Sequence, residues 1–161
     1  ILYNVPSRTN MNITPETLLK LTELNNVVAI KEASGDMSQV AKMKALCGDK
    51  IDIYSGNDDQ IIPILSLGGI GVISVAANII PKIVHDMCDL YLSGDCFKAT
   101  KLQLDYLELM NNLFIETNPI PVKTAMNVMG MNVGELRLPL YKMNDKNKET
   151  LVNTLKKYNL L

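Results

Sequence analysis

The chain has 161 residues, 47% hydrophobic and 20% charged, enough apolar material for one globular core and too much for a disordered segment. Its formal net charge is −1 and it has no cluster of lysine or arginine, so nothing in it favours a nucleic acid or an anionic membrane surface as a partner. The three cysteines, Cys47, Cys88 and Cys96, have no metal-ligand spacing, and their odd number suits a reducing compartment, so a cytoplasmic protein without a metal site is expected.

In chain order, ILYNV (1–5) is the first predicted strand, and the PSRT that follows places Arg8 in a loop. TPETLLKLTEL predicts a helix over about 15–24, with Thr14 as N-cap and Pro15 at its first position. VVAIK (27–31) predicts the second strand, and the apolar stripe Val40, Ala41, Met43, Ala45 a helix over 36–46. IDIYS (51–55) is the third strand. A helix over 58–66 follows, with Asp58 and Asp59 read as its cap. GVISVA (71–76) is the fourth strand, and helices are predicted over 80–92, 95–114, 119–129 and 146–158 with no further strand. Residues 60–81 are uncharged and long enough to span a bilayer, but Pro63, Gly68, Gly69, Gly71, Asn78 and Pro81 cut the segment into turns, strand and helix.

Strands rich in valine and isoleucine that alternate with helices indicate a parallel α/β arrangement. Four βα units are present, whereas a closed (β/α)8 barrel has eight and about 250 residues. The expected architecture is therefore a partial TIM barrel over residues 1–92, followed by a small helical domain over 93–161. Ile1 already lies inside a strand and no initiator methionine precedes it, which suggests the C-terminal half of a longer chain. The edge strands of such a half would need cover, from a second copy or from the missing half.

Side chains alternate along a strand, so Val28 and Ile30 are expected to face the helices while Ala29, Lys31 and Ala33 face the other way. Lys31 would then project between two small residues at the strand's C-terminal end, where barrel active sites lie. A partly dry lysine loses its proton more readily and attacks carbonyls to form a Schiff base. The competing reading pairs it with Glu32 or Asp36 as a solvated ion. Tyr3, inward on the preceding strand, is a proton-relay candidate or a packing residue, and Arg8 a carboxylate grip or one half of a surface salt bridge. His85, the single histidine, falls on the polar side of its helix. The glycines Gly69 and Gly71 precede a strand, the wrong context for a dinucleotide loop.

The motifs YNVPSRT (3–9), IKEASGD (from 30), SGND (55–58), GVISVAAN (71–78) and NPIPVK (118–123) together resemble the dihydrodipicolinate synthase family of the N-acetylneuraminate lyase superfamily. The resemblance implies a class I lyase that condenses pyruvate with aspartate 4-semialdehyde in lysine biosynthesis by the diaminopimelate route. It implies Lys31 as the Schiff-base lysine, Tyr3 as a proton relay, Arg8 as the residue that orients the semialdehyde carboxylate, and Ile73 as the residue whose carbonyl lies beside pyruvate. Gly56 and Asn57 match the loop on the second-substrate side. No cofactor is implied, because the imine of Lys31 with pyruvate serves as the electron sink. Asn10 stands where glycine is common in the family. The threonine pair for the pyruvate carboxylate, a second relay tyrosine from a neighbouring subunit and most of the lysine feedback site are expected upstream of residue 1. Two other readings stand beside this one: another pyruvate-dependent aldolase such as N-acetylneuraminate lyase, and a folded, non-catalytic half-barrel.

Overall fold

The computed structural model describes residues 1–161. Its strands β1 (Leu2–Asn4), β2 (Ala29–Glu32), β3 (Asp52–Ser55) and β4 (Gly71–Val72) form one parallel sheet in chain order. Between them lie α1 (Pro6–Thr9), α2 (Pro15–Leu21), α3 (Met37–Cys47) and α4 (Ile61–Ser66). After β4 come α5 (Pro81–Leu92), α6 (Cys96–Asp105), α7 (Leu107–Asn112), α8 (Ile120–Val128) and α9 (Asp145–Lys157).

Local chemistry sets these boundaries. The Thr14 hydroxyl accepts from Thr17 N at 3.2 Å and starts α2, with Pro15 supplying a preset φ. The helix stops at Leu21, short of the expected 24, where the Thr22 hydroxyl instead donates to Leu19 O at 2.7 Å and the chain turns. Asp36 caps α3 by accepting from Gln39 N at 3.0 Å. Arg8 sits in the single helical turn α1, not in a loop. That turn ends at Asn10 with φ 55, a left-handed conformation that glycine and asparagine tolerate best, which accounts for asparagine at this position.

The fourth strand is shorter than expected. Only Gly71 and Val72 pair in the ladder, Ile73 N still donates to Ser55 O at 2.9 Å, and the chain then curls into a 3-10 turn at Ala76–Asn78. The region expected as one helix over 95–114 is two, α6 and α7, because Tyr106 leaves helical geometry at φ −102, ψ 3. Residues 60–81 resolve into α4, β4 and turns, and no helix is long and apolar enough to cross a membrane.

Two apolar clusters hold the molecule together. Leu18, Ile30, Val40, Met43, Cys47, Ile51, Ile53 and Ile64 join one sheet face to α2, α3 and α4. A larger cluster of 18 residues joins α4 and the Ala76 turn to all five later helices. It runs without a break across residue 92, since Val84 and Met87 share it with Ala99, Leu109 and Leu151. Val28, expected against the helices, precedes β2 and is 58% exposed.

Candidate active site

Parallel pairing aligns Tyr3, Lys31, Tyr54 and Gly71 at one level across the four strands. The alternate positions Ile30 and Ile53 are buried under the helices, so this level belongs to the other, open face of the sheet. Gly71 leaves room there: an added Cβ would lie 3.4 Å from the Tyr54 ring. One turn of sequence pattern thus sends isoleucine into the core and lysine to the open face.

The carboxylates offered by the sequence as partners for Lys31 are occupied elsewhere. Glu32 is 1% exposed on the helix side, where it accepts from Asn4 Nδ2 at 2.9 Å and from Ser34 N at 2.6 Å. Asp36 is committed to capping α3. Lys31 makes no ion pair; its Nζ lies over the Tyr3 ring, 4.3 Å from the centroid. Burial lowers the pKa of its amine; the Asp58 carboxylate opposes that shift and the Arg8 guanidinium adds to it. The result is a lysine that gives up its proton more readily than a solvated one, with a tyrosine beside it.

The other expected residues gather around the same end of the sheet in different ways. Arg8 is exposed and has no carboxylate partner, so the surface salt bridge is not formed. Ile73 follows β4 on the same side as Gly71, and no donor is bonded to its carbonyl oxygen. Gly56 is required by packing: a Cβ there would meet Ala33 Cβ at 2.6 Å and Glu32 O at 3.0 Å. Asn57 is held by its neighbours, Nδ2 donating to Gln60 Oε1 at 3.0 Å and its carbonyl accepting from Ser55 Oγ at 2.7 Å. His85 is exposed on α5 beside Asp86 and far in sequence from this layer.

Asp58 does not cap the helix after it. Its Oδ2 accepts from Val75 N at 3.1 Å and Ala76 N at 2.8 Å, while the residue itself is 2% exposed. Burial pushes the Asp58 carboxyl up, against the Ser74 hydroxyl and the two amides, which stabilise its charge. No donor in normal hydrogen-bond geometry reaches Oδ1. Sequence reasoning missed Asp58 and Tyr54. Strand parity in IDIYS was enough to find Tyr54, since it shares its side with Lys31; nothing local marks Asp58, whose partners lie 17 and 18 residues downstream.

The two main hollows lie away from Lys31. One of about 730 Å³ lies between α8 and the segment after it, lined by Lys123, Asn127, Leu136 and Tyr141. A smaller one of about 280 Å³ adjoins Asn57, Asp58, Met110 and Phe114. Neither includes Lys31 or Tyr3, which lie on the open face of the sheet. No three histidine, cysteine, aspartate or glutamate side chains gather as a metal site would require.

Residues 1–158 match the model of the Dihydrodipicolinate synthetase family. The chain is 69% identical over 159 residues to a 4-hydroxy-tetrahydrodipicolinate synthase of Clostridium novyi, covering 99% of this chain and 54% of that protein. The corresponding synthase of Clostridium tetani is 66% identical over 162 residues, covering 100% of this chain and 55% of the relative. A dihydrodipicolinate synthase from Thermotoga maritima superposes with a TM-score of 0.95 at 44% identity, over 99% of this chain and 55% of that one. The enzyme from Acinetobacter baumannii, solved in complex with pyruvate, gives 0.95 at 38% identity over the same shares. The chain therefore spans about half the length of the curated relatives it matches. With a family model matched over almost its whole length, the chain belongs to the dihydrodipicolinate synthetase family.

Proposed function

We propose that these residues carry the Schiff-base centre of a 4-hydroxy-tetrahydrodipicolinate synthase, which condenses pyruvate with aspartate 4-semialdehyde. The observation that carries the reading is the Lys31 amine: unpaired, partly buried, shifted toward its free-base form and seated over Tyr3. A related enzyme holds pyruvate in its crystal structure, which supports pyruvate as the first substrate.

Lys31 Nζ attacks the C2 carbonyl of pyruvate, and the carbinolamine loses water to give an iminium ion. Loss of a C3 proton gives the enamine, whose C3 attacks the aldehyde carbon of the semialdehyde and forms the new C–C bond. The semialdehyde amine then adds to C2, closes the ring and displaces Lys31, which returns as the free amine. In this reading the Tyr3 hydroxyl relays protons to and from the carbinolamine oxygen. Arg8, exposed and without a carboxylate partner, is free to grip the semialdehyde carboxylate as a planar fork. The carbonyl of Ile73, with no donor of its own, lies toward the pyruvate, and Gly56 and Asn57 shape the second-substrate side.

The four βα units are read as the second half of an eight-unit barrel, residues 1–92, braced by a helical region over 93–161. The motif order of the family resemblance supports that placement. Tyr3 is 49% exposed and Ile73 38%, an inner face that needs cover from the rest of the barrel, within a homo-oligomer in a cytoplasmic setting. The test is a condensation assay on a reconstituted enzyme, the 161 residues joined to the remainder of the Clostridium novyi relative. Pyruvate is expected to be consumed only with aspartate semialdehyde present, and not by Lys31→Met. Turnover of Lys31→Met at the unmutated rate would overturn the reading.

A further inference from the structure

We propose that Asp58 is a positioning residue for this site, holding the Ile73–Ala76 turn in place with Gln103 of α6 as its brace, and supplying a negative charge for the cation formed at Lys31. The inference rests on the proposed function, because the turn and the cation matter only if Lys31 forms an imine.

Three observations carry it. The amide of Val75, next in register after Ile73 for the β4 ladder, and that of Ala76 are taken by one oxygen of Asp58, at 3.1 and 2.8 Å. That capture bends the chain away from the sheet directly after Ile73 and leaves the Ile73 carbonyl without a donor. Gln103, 4% exposed, fixes the backbone on either side: its Nε2 donates to Asp58 O at 2.9 Å and its Oε1 accepts from Ile62 N at 3.3 Å. The third observation is the carboxyl itself. A neutral amide oxygen can also accept two N–H groups, more weakly than a carboxylate, and costs less to bury. A buried carboxyl whose second oxygen lacks a donor is a poor choice for a strut alone.

A use for the charge lies on the neighbouring strand: Asp58 stands three residues past the C-terminal end of β3, whose Tyr54 is in register with Lys31. Around the Lys31 amine the charged or titratable groups are Arg8 of α1, Tyr3 of β1, Tyr54 of β3 and Asp58 ahead of α4. Asp58 is the group that favours positive charge on Lys31, against burial and Arg8. The protonated imine nitrogen is positive, so a fixed carboxylate stabilises it relative to the neutral amine that precedes it. Through Gln103, the helical region sets where that carboxylate stands.

The two roles separate by substitution in the reconstituted enzyme. Asp58→Asn keeps an acceptor for both amides but removes the charge. It is expected to lower kcat about tenfold, hold pyruvate KM within about twofold and move the acid limb of the rate profile to lower pH. The direction follows because Lys31 loses the group that raises its pKa. Asp58→Ala loses the clamp as well and is expected to raise pyruvate KM about tenfold. If Asp58→Ala does not fold, Gln103→Leu carries the positioning arm, with an expected rise in pyruvate KM of about threefold. An unchanged pyruvate KM in Asp58→Ala or Gln103→Leu overturns the positioning role, and an unmoved pH limb with normal kcat in Asp58→Asn overturns the charge role. Failure of the unmutated reconstituted enzyme to condense its substrates overturns the proposed function and this inference with it; condensation combined with those null results overturns this inference alone.

Discussion

Four lysines of the later helices and the lysine of β2 meet opposite fates. Lys82 lies 2.6 Å from Asp86, Lys98 2.6 Å from Asp95 and Lys101 2.5 Å from Asp105, and Lys157 bonds Glu108, all on the surface. Partner carboxylates raise the pKa of Lys98 and Lys157, whereas burial lowers that of Lys31, which has no such partner. In the first three of these pairs helical i,i+3 or i,i+4 spacing brings the charges together. A strand sends its neighbours to opposite faces, and Glu32, the carboxyl beside Lys31 in sequence, is carried away to Asn4 and Ser34. The same residue type is thus a solvated, paired charge in one setting and a partly buried, unpaired amine in the other, and the backbone period makes the difference.

Breaking the Lys31 side of this contrast has the largest effect. Lys31→Met removes the nucleophile, and condensation in the reconstituted enzyme is expected to fall below detection in a steady-state assay. Tyr3→Phe keeps the ring under the amine but removes the hydroxyl; kcat is expected to drop about a hundredfold, the scale of a lost proton relay, with the fold unchanged by circular dichroism. Gly56→Ala forces a Cβ against Ala33 and the Glu32 carbonyl, and a loss of about 1–3 kcal/mol is expected in denaturant unfolding.

A smaller effect sharpens the contrast by pH. Arg8 is one of the groups that lower the Lys31 pKa, so Arg8→Gln is expected to move the acid limb of the pyruvate-dependent rate to higher pH, because more of the amine is then protonated at a given pH. On the helical side, Lys157→Met breaks the exposed pair with Glu108, and no change in melting temperature or kcat is expected, as for most exposed ion pairs.

The parts of the molecule governed by local pattern were legible in the sequence. The strand periods, the Thr14 cap, and the placement of Lys31 and Tyr3 on one face follow from residues a few positions apart. What escaped depends on partners far along the chain. The end of β4 is decided by Asp58 reaching forward to Val75 and Ala76, the place of Gln103 by Asp58 45 residues away, and the need for Gly56 by the Ala33 methyl across the sheet. Val28 was misread because alternation was carried one residue beyond the true start of β2.

One amine, that of Lys31, is the proposed nucleophile toward pyruvate. Its most direct test is borohydride reduction of the reconstituted enzyme and of the isolated 161 residues in the presence of isotopically labelled pyruvate, followed by peptide mass mapping. A single adduct on the peptide bearing Lys31 in the reconstituted enzyme is expected, and its absence from the isolated chain would locate the missing contribution in the remainder of the barrel. An adduct on another lysine, or none in an enzyme that turns over, would contradict the account.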